Sequence, residues 1–191
     1  MSTISVLTAT FGLEILKLFD MKTTIKKYGI STLIIALILF FLALYFGQNL
    51  SFKTQEVLGY VTIIVCLIPI YFGIKHHKAT QNGNISFKDG FIIGILIALC
   101  AAIGFAIIDY IYVAYVNPEF PQQYLAYQID AINASDLNSA EKFQKINEAT
   151  EMAKDYGTPT FGAILMFAIV FILGMIISII SALTLQRKAS S

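Results

Sequence analysis

GFIIGILIALCAAIGFAII, residues 90–108, runs for nineteen residues without a charge. A helix needs about 20 apolar residues to cross the hydrocarbon core of a bilayer, so this stretch is long enough to span one. A strand there would leave its backbone polar groups unpaired in lipid, which makes helix the expected form. Three further uncharged runs flank it. Tyr28 to Phe52 lies between Lys27 and Lys53, and Val57 to Ile74 follows. Tyr156 to Gln186 closes the set, its apolar part starting near Phe161. The spans are expected at about 28–47, 57–75, 88–116 and 160–186.

Composition agrees. Hydrophobic residues make up 57% of the 191 and charged residues only 13%, about half the charged share of a soluble domain. The expected fold class is all-α, an integral membrane four-helix bundle with a small amphipathic helical segment between spans three and four. Domain organisation follows: 1–27 as a cytoplasmic N-terminal segment, and 28–187 as the four-span domain, including 117–159 as an extracytoplasmic helical loop. Cys66 and Cys100 fall inside apolar runs, where they read as packing residues.

Lysine and arginine placement sets an orientation. Lys17, Lys22, Lys26, Lys27, Lys75, Lys78, Lys88, Arg187 and Lys188 fall on one side, and Lys53, Lys142, Lys145 and Lys154 on the other. Nine against four is a positive-inside bias that places both termini in the cytoplasm. The long loop adds seven acids to its three lysines, for a net charge of −4. The overall net charge of +1 says nothing by itself about nucleic acid, because its meaning lies in where the charges sit; the lipid bilayer is the first partner expected, and no nucleic acid.

The first twenty residues allow two readings. Ile4, Leu7, Phe11, Ile15 and Leu18 recur at helical spacing, as in a short helix lying on the membrane. Alternatively Met21 is the natural start, since Met21-Lys22 leads straight into Lys26-Lys27 and the first span. No small-residue cleavage site follows the apolar stretch, which argues against a cleaved signal peptide.

Between spans two and three, Asn82-Gly83 signals a turn, and Ser86 with Asp89 forms a capping-box pattern. In the long loop, Asn117-Pro118 and Pro121 break the third helix. Leu125, Ile129 and Ile132 then repeat at helical spacing, as do Phe143, Ile146, Ala149, Ala153 and Tyr156 after a break at Ser135-Asp136. Two amphipathic helices with facing apolar stripes are expected to form a cap, with Glu141 and Lys145 in supportive spacing on the second.

Candidate sites are few. Asp109 is the charged residue within a span, a position that is often functional. Counted from Phe91 it lies about 27 Å along the helix, near the outer boundary, where Tyr110, Tyr112 and Tyr115 suggest an aromatic belt. An interfacial carboxylate paired locally is the reading preferred over a proton or ligand site. Gly90, Gly94, Ala98, Ala102 and Ala106 recur every four residues on the third span, and Gly174, Ser178 and Ala182 on the fourth. Small residues at this spacing allow close helix approach, so these two spans are expected to touch. Pro69 should bend the second span. His76 and His77 point in different directions on a helix and have no third ligand nearby, so no zinc is expected. Glu148, Glu151 and Asp155 share a solvated face without a calcium-loop signature. No metal site, cofactor or catalytic motif is expected.

The segments Lys26-Lys27-Tyr28-Gly29, Phe72-Gly73-Ile74-Lys75, Gly83-Asn84-Ile85-Ser86-Phe87-Lys88, Asn117-Pro118-Glu119-Phe120 and Ser178-Ile179-Ile180-Ser181-Ala182 resemble, in order and spacing, a bacterial family of uncharacterised membrane proteins, domain-of-unknown-function family 4199. The resemblance covers roughly Met21 to Lys188 and implies a four-span protein with a charged segment before the last span. It implies no activity and no functional residues. The residues before Met21 depart from the family's pattern. The expected function is therefore a non-enzymatic bacterial inner-membrane protein, structural or auxiliary, whose outer cap meets a membrane-protein partner or a second copy. The alternative is a small oligomeric transporter or channel using Asp109 and the Pro69 kink.

Overall fold

The computed structural model describes residues 3–187, except for the side chains of 3–17, 155 and 156. Helix is the dominant element. In chain order the helices are α1 (Thr3–Gly47), α2 (Phe52–Thr80), α3 (Phe87–Ile111), α4 (Phe120–Asn133), α5 (Ser139–Tyr156) and α6 (Pro159–Leu185). A single π-helical turn, Tyr112–Val116, extends α3. Four of these elements, over Leu18–Gly47, Phe52–Thr80, Phe87–Val116 and Pro159–Leu185, are long and apolar enough to cross a membrane. The chain is a multi-pass membrane protein.

The helices run alternately up and down. α2 and α3 form the middle of the bundle; among the described residues α1 packs mainly on these two from one side and α6 from the other. One end of the bundle, here the basic end, carries the α2–α3 turn and the exit of α6. The other, the cap end, carries the α1–α2 turn and the α4–α5 pair. Phe105, Leu67, Ile70, Ile74, Ile93 and Ile97 fill the interior with no exposed surface.

α1 differs from the short surface helix considered above. Its backbone is one continuous helix of 45 residues, about 68 Å at the helical rise, so no break separates the first twenty residues from the first span. The alternative start at Met21 is a different question. The first turn is also tighter than its apolar runs suggest. Ser51 caps α2, its side chain accepting from the Thr54 N–H, so the helix starts at Phe52.

At the basic end, α2 continues to Thr80 and runs unbroken through Pro69. Asn82 and Gly83 both take left-handed backbone, at φ 52° and 80°. This is the conformation that Asn and Gly tolerate best. The chain thereby reverses within a few residues and delivers Ile85 to Arg187, with which it exchanges two backbone hydrogen bonds, Ile85 N to Arg187 O at 3.1 Å and Arg187 N to Ile85 O at 2.9 Å. This single bridge ties the α2–α3 turn to the end of α6. Ser86 caps α3 by accepting from the Asp89 N–H. The Asp89 carboxylate also accepts from the Ser86 hydroxyl at 2.6 Å.

Candidate functional site

Two regions hold the polar and close-packed residues singled out in the sequence. The first is the seam between α3 and α6, the most extensive helix contact in the bundle. A methyl group placed on Gly90 would lie 3.2 Å from the Ala182 Cβ, one on Gly94 2.7 Å from the Ser178 Cβ, and one on Gly174 2.5 Å from the Ala98 Cβ. The three pairs share one antiparallel register, continuous with the Ile85–Arg187 bridge. Ala102 is fully buried on the same stripe. The helices approach this closely because the contacting positions carry hydrogen or a single methyl. α2 covers the seam: the same probes meet Ile74, Ile70 and Leu67 at 3.4, 3.2 and 3.4 Å. The Ser178 hydroxyl donates back to the Gly174 carbonyl at 2.6 Å, so this buried polar group is satisfied within its own helix.

The seam ends at the second region, around Asp109. Near the cap end, Asp109 Oδ2 would be 3.1 Å from a methyl group on Gly162, in the first turn of α6. Thr158 caps that turn, its side chain accepting from the Phe161 N–H at 3.3 Å. The N-terminal end of a helix carries partial positive charge and favours a nearby carboxylate. Among the described residues no ion pair or hydrogen bond to the Asp109 carboxylate is formed, so the local pairing expected above is replaced by proximity to the start of α6.

Directly after Asp109 the helix changes pitch. The Asn117 N–H donates to the Tyr112 carbonyl at 2.8 Å, five residues back, as in a π turn. Tyr112 and Val113 at its start are buried, Tyr112 continuing the inward α-helical stripe of Ala101, Phe105 and Ile108. Tyr112 is only 4% exposed and meets the Phe120 ring edge-on at 5.6 Å. Tyr112 therefore belongs to the interior, and Tyr110 and Tyr115 alone of the three remain exposed.

Phe120 opens an aromatic cluster that holds the cap. Phe52 at the start of α2 stacks on Tyr127 at 5.2 Å and lies 6.0 Å from Tyr124 and 6.1 Å from Phe120. Tyr124 donates its hydroxyl to Glu56 Oε1 at 2.7 Å. Burial, together with the Glu56 carboxylate that accepts its proton, pushes the Tyr124 phenol up to about 12. Pro121 lies within the first turn of α4, where its missing N–H is harmless; it starts that helix in addition to ending the previous one.

α5 packs on α4, with Leu125 and Ala153 facing each other across a groove of about 170 Å³ also lined by Pro121, Gln122, Thr150 and Lys154. Phe143 departs from the expected stripe: it is 69% exposed. Glu141 does not pair with Lys145. It closes a capping box with Asn138, accepting from the Asn138 N–H at 3.2 Å while Asn138 Oδ1 accepts from the Glu141 N–H at 3.0 Å. Glu148 accepts from Gln144 and Glu151 pairs with Lys154; the Asp155 and Tyr156 side chains lie outside the described residues. His76 rests 5.6 Å from the Tyr28 ring, and His77 is fully buried. Cys66 and Cys100 are free thiols. No group of three metal-ligating side chains occurs among the described residues.

The model of a family described as Protein of unknown function (DUF4199) matches residues 27–187, which takes in most of the first span, the other three spans and the cap. The chain belongs to this family. No curated protein and no solved structure matches the DUF4199 chain.

Proposed function

We propose that this DUF4199 protein is a non-enzymatic component of a bacterial inner membrane, structural or auxiliary, whose α4–α5 cap meets a membrane-protein partner or a second copy outside the cytoplasm. The observation that carries the reading is how the cap is held. α4 is fastened to the bundle by Tyr124, Glu56 and the Phe52 cluster. α5 rides on α4 and leaves Phe143 and Met152 exposed. A rigidly mounted helix pair above a close-packed bundle suits a recognition element. The charge bias of the loops supports cytoplasmic termini. With a photo-crosslinker at Phe143 in intact membranes, the expected product is a defined heavier species containing a partner or a second copy; recovery of uncrosslinked monomer alone would overturn the reading. In a background without Cys66 and Cys100, Ser139→Cys should react with an impermeant maleimide from outside, and Ser190→Cys only after permeabilisation. The reverse pattern would invert the orientation.

A second reading, a small oligomeric transporter or channel, draws support from Asp109. An ionisable side chain in a span, three residues before a π turn, joins two features that recur at functional sites. Proton flux into vesicles holding the purified protein would test it. Flux unchanged in Asp109→Asn would remove that carboxylate from any mechanism.

A further inference from the structure

The basic end gathers cations from every span. Lys26 and Lys27 lie on α1, Lys75 and Lys78 on α2, Lys88 on α3, and Arg187 just past α6. Among the described residues none of these six forms an ion pair; the pair that does form, Lys154 with Glu151, is at the cap end. Of the two acids described at the basic end, Asp20 accepts from Gln81 at 3.2 Å and Asp89 accepts from Ser86.

Two of these lysines are held in a particular way. Lys27 Nζ stands 5.7 Å from the centre of the Tyr28 ring, and Lys75 Nζ 6.0 Å from that of Tyr71. A ring face holds an ammonium by its quadrupole and leaves the N–H donors outward. Each lysine also heads an exposed strip that continues into the apolar part of its span. On α2 the strip is Lys75, Tyr71, Ile68 and Ile64; on α1 it is Lys27, Ser31, Ile34 and Ile38. The spacing of three and four residues places each strip on one helix face. A ligand that matches such a strip has an anionic head and a hydrocarbon tail. A soluble anion would leave the apolar part unmatched, and a soluble protein or nucleic acid could not follow the strip into hydrocarbon.

We propose that these two strips bind anionic phospholipids, with the headgroup phosphate on Lys27 or Lys75 and an acyl chain along the isoleucines below. The site rests on the bilayer placement of the spans alone and is independent of what the cap meets. Anionic headgroups attract basic residues near the membrane surface, and the ring-held ammoniums fix where they are held.

The test uses the full chain in a neutral mild detergent, with thermal unfolding followed while lipid is added. A ligand that binds the folded state raises the unfolding midpoint by mass action. Dioleoyl phosphatidylglycerol is expected to raise it saturably, and dioleoyl phosphatidylcholine to leave it nearly unchanged. The Lys27→Gln/Lys75→Gln double variant should bind phosphatidylglycerol ~5-fold more weakly at each strip, as one lost surface cation per site implies. Lys53→Gln/Lys145→Gln, altered at the cap end, should respond like the unaltered protein. Equal shifts with both lipids, an undiminished response in the first variant, or the same shift with inorganic phosphate alone would overturn the proposal. If the double variant gives no folding transition, each single variant is titrated instead. A weakened response in both supports the site, and an undiminished one in either overturns its half.

Discussion

Gly94 on α3 faces Ser178 on α6 so closely that a methyl group on the glycine would sit 2.7 Å from both the Cβ and the Oγ of the serine. The Oγ can swing away about the Cα–Cβ bond, but the Cβ is fixed to the backbone, so its clash is relieved only by moving a helix. Gly94→Ala is therefore expected to destabilise the bundle by about 1–3 kcal/mol, the usual range for overpacking. Gly59→Ala on α2 meets nothing within 4 Å and should be neutral or slightly stabilising through helix propensity. Adding Ser178→Gly to Gly94→Ala should recover part of the loss. Unfolding midpoints in detergent for the four proteins would show it, and a Gly94→Ala midpoint equal to that of Gly59→Ala would refute the close seam.

The tether of the cap can be cut at a single oxygen. Tyr124→Phe removes the bond to Glu56 and keeps the ring in its stack. Hydrogen bonds to charged groups contribute about 1.5–3 kcal/mol; at this half-buried place the lower end is expected. Amide exchange should quicken in α4 and α5 while α2, α3 and α6 stay protected. Uniform change across all helices would mean that the cap is not a separate unit.

The same tyrosine sets a pH response. Its folded-state phenol is raised to about 12, against about 10 for a free phenol. The group is neutral below both values, so its contribution is complete below about 10 and is lost as pH rises toward 12. Ultraviolet titration near 295 nm should show one phenol ionising late, and Tyr124→Phe should lose that late step. A step that persists in Tyr124→Phe would assign it to another residue.

Removing the α5 cap is a local experiment. Asn138→Ala deletes the side chain that accepts from the Glu141 N–H, a change that costs about 1 kcal/mol in most helices. Exchange in the first turns of α5 should accelerate, with the four spans unaffected. Lys145→Ala should do much less, because Glu141 is committed to the cap rather than to that lysine.

Asp109→Asn keeps the side-chain shape beside Gly162 and removes the charge that faces the start of α6. A helix-end interaction contributes about 0.3–1 kcal/mol, so a small loss of stability and an intact fold are expected. A large loss would reveal a partner for the carboxylate beyond the described residues.

The spans were legible because hydropathy over twenty residues is a strong, local signal, and the small residues of α3 and α6 were legible because their four-residue repeat is. What escaped was contact between distant positions. Glu56 and Tyr124 are 68 residues apart, and nothing near either one announces the other. Tyr112 shares the buried helical stripe of Ala101, Phe105 and Ile108, so its inward position is within reach of periodicity; grouping it with Tyr110 and Tyr115 as a belt hides that. The Asn138–Glu141 box is readable from its spacing, and it prevails over the Glu141–Lys145 pair because a cap contributes more than an exposed ion pair. Phe143 is exposed because helical spacing fixes only which residues share a face, not what covers that face.

The order of the helices along the chain has a consequence for biosynthesis. α3 finds its closest neighbour in α6, yet residues 112–158 are made between them. While the ribosome works through that interval, the glycine-bearing side of α3 has no mate in the nascent chain. Shortening the wait by trimming the cap, or lengthening it by insertion, should alter how much newly made protein is captured by quality-control proteases, even where the finished fold is equally stable.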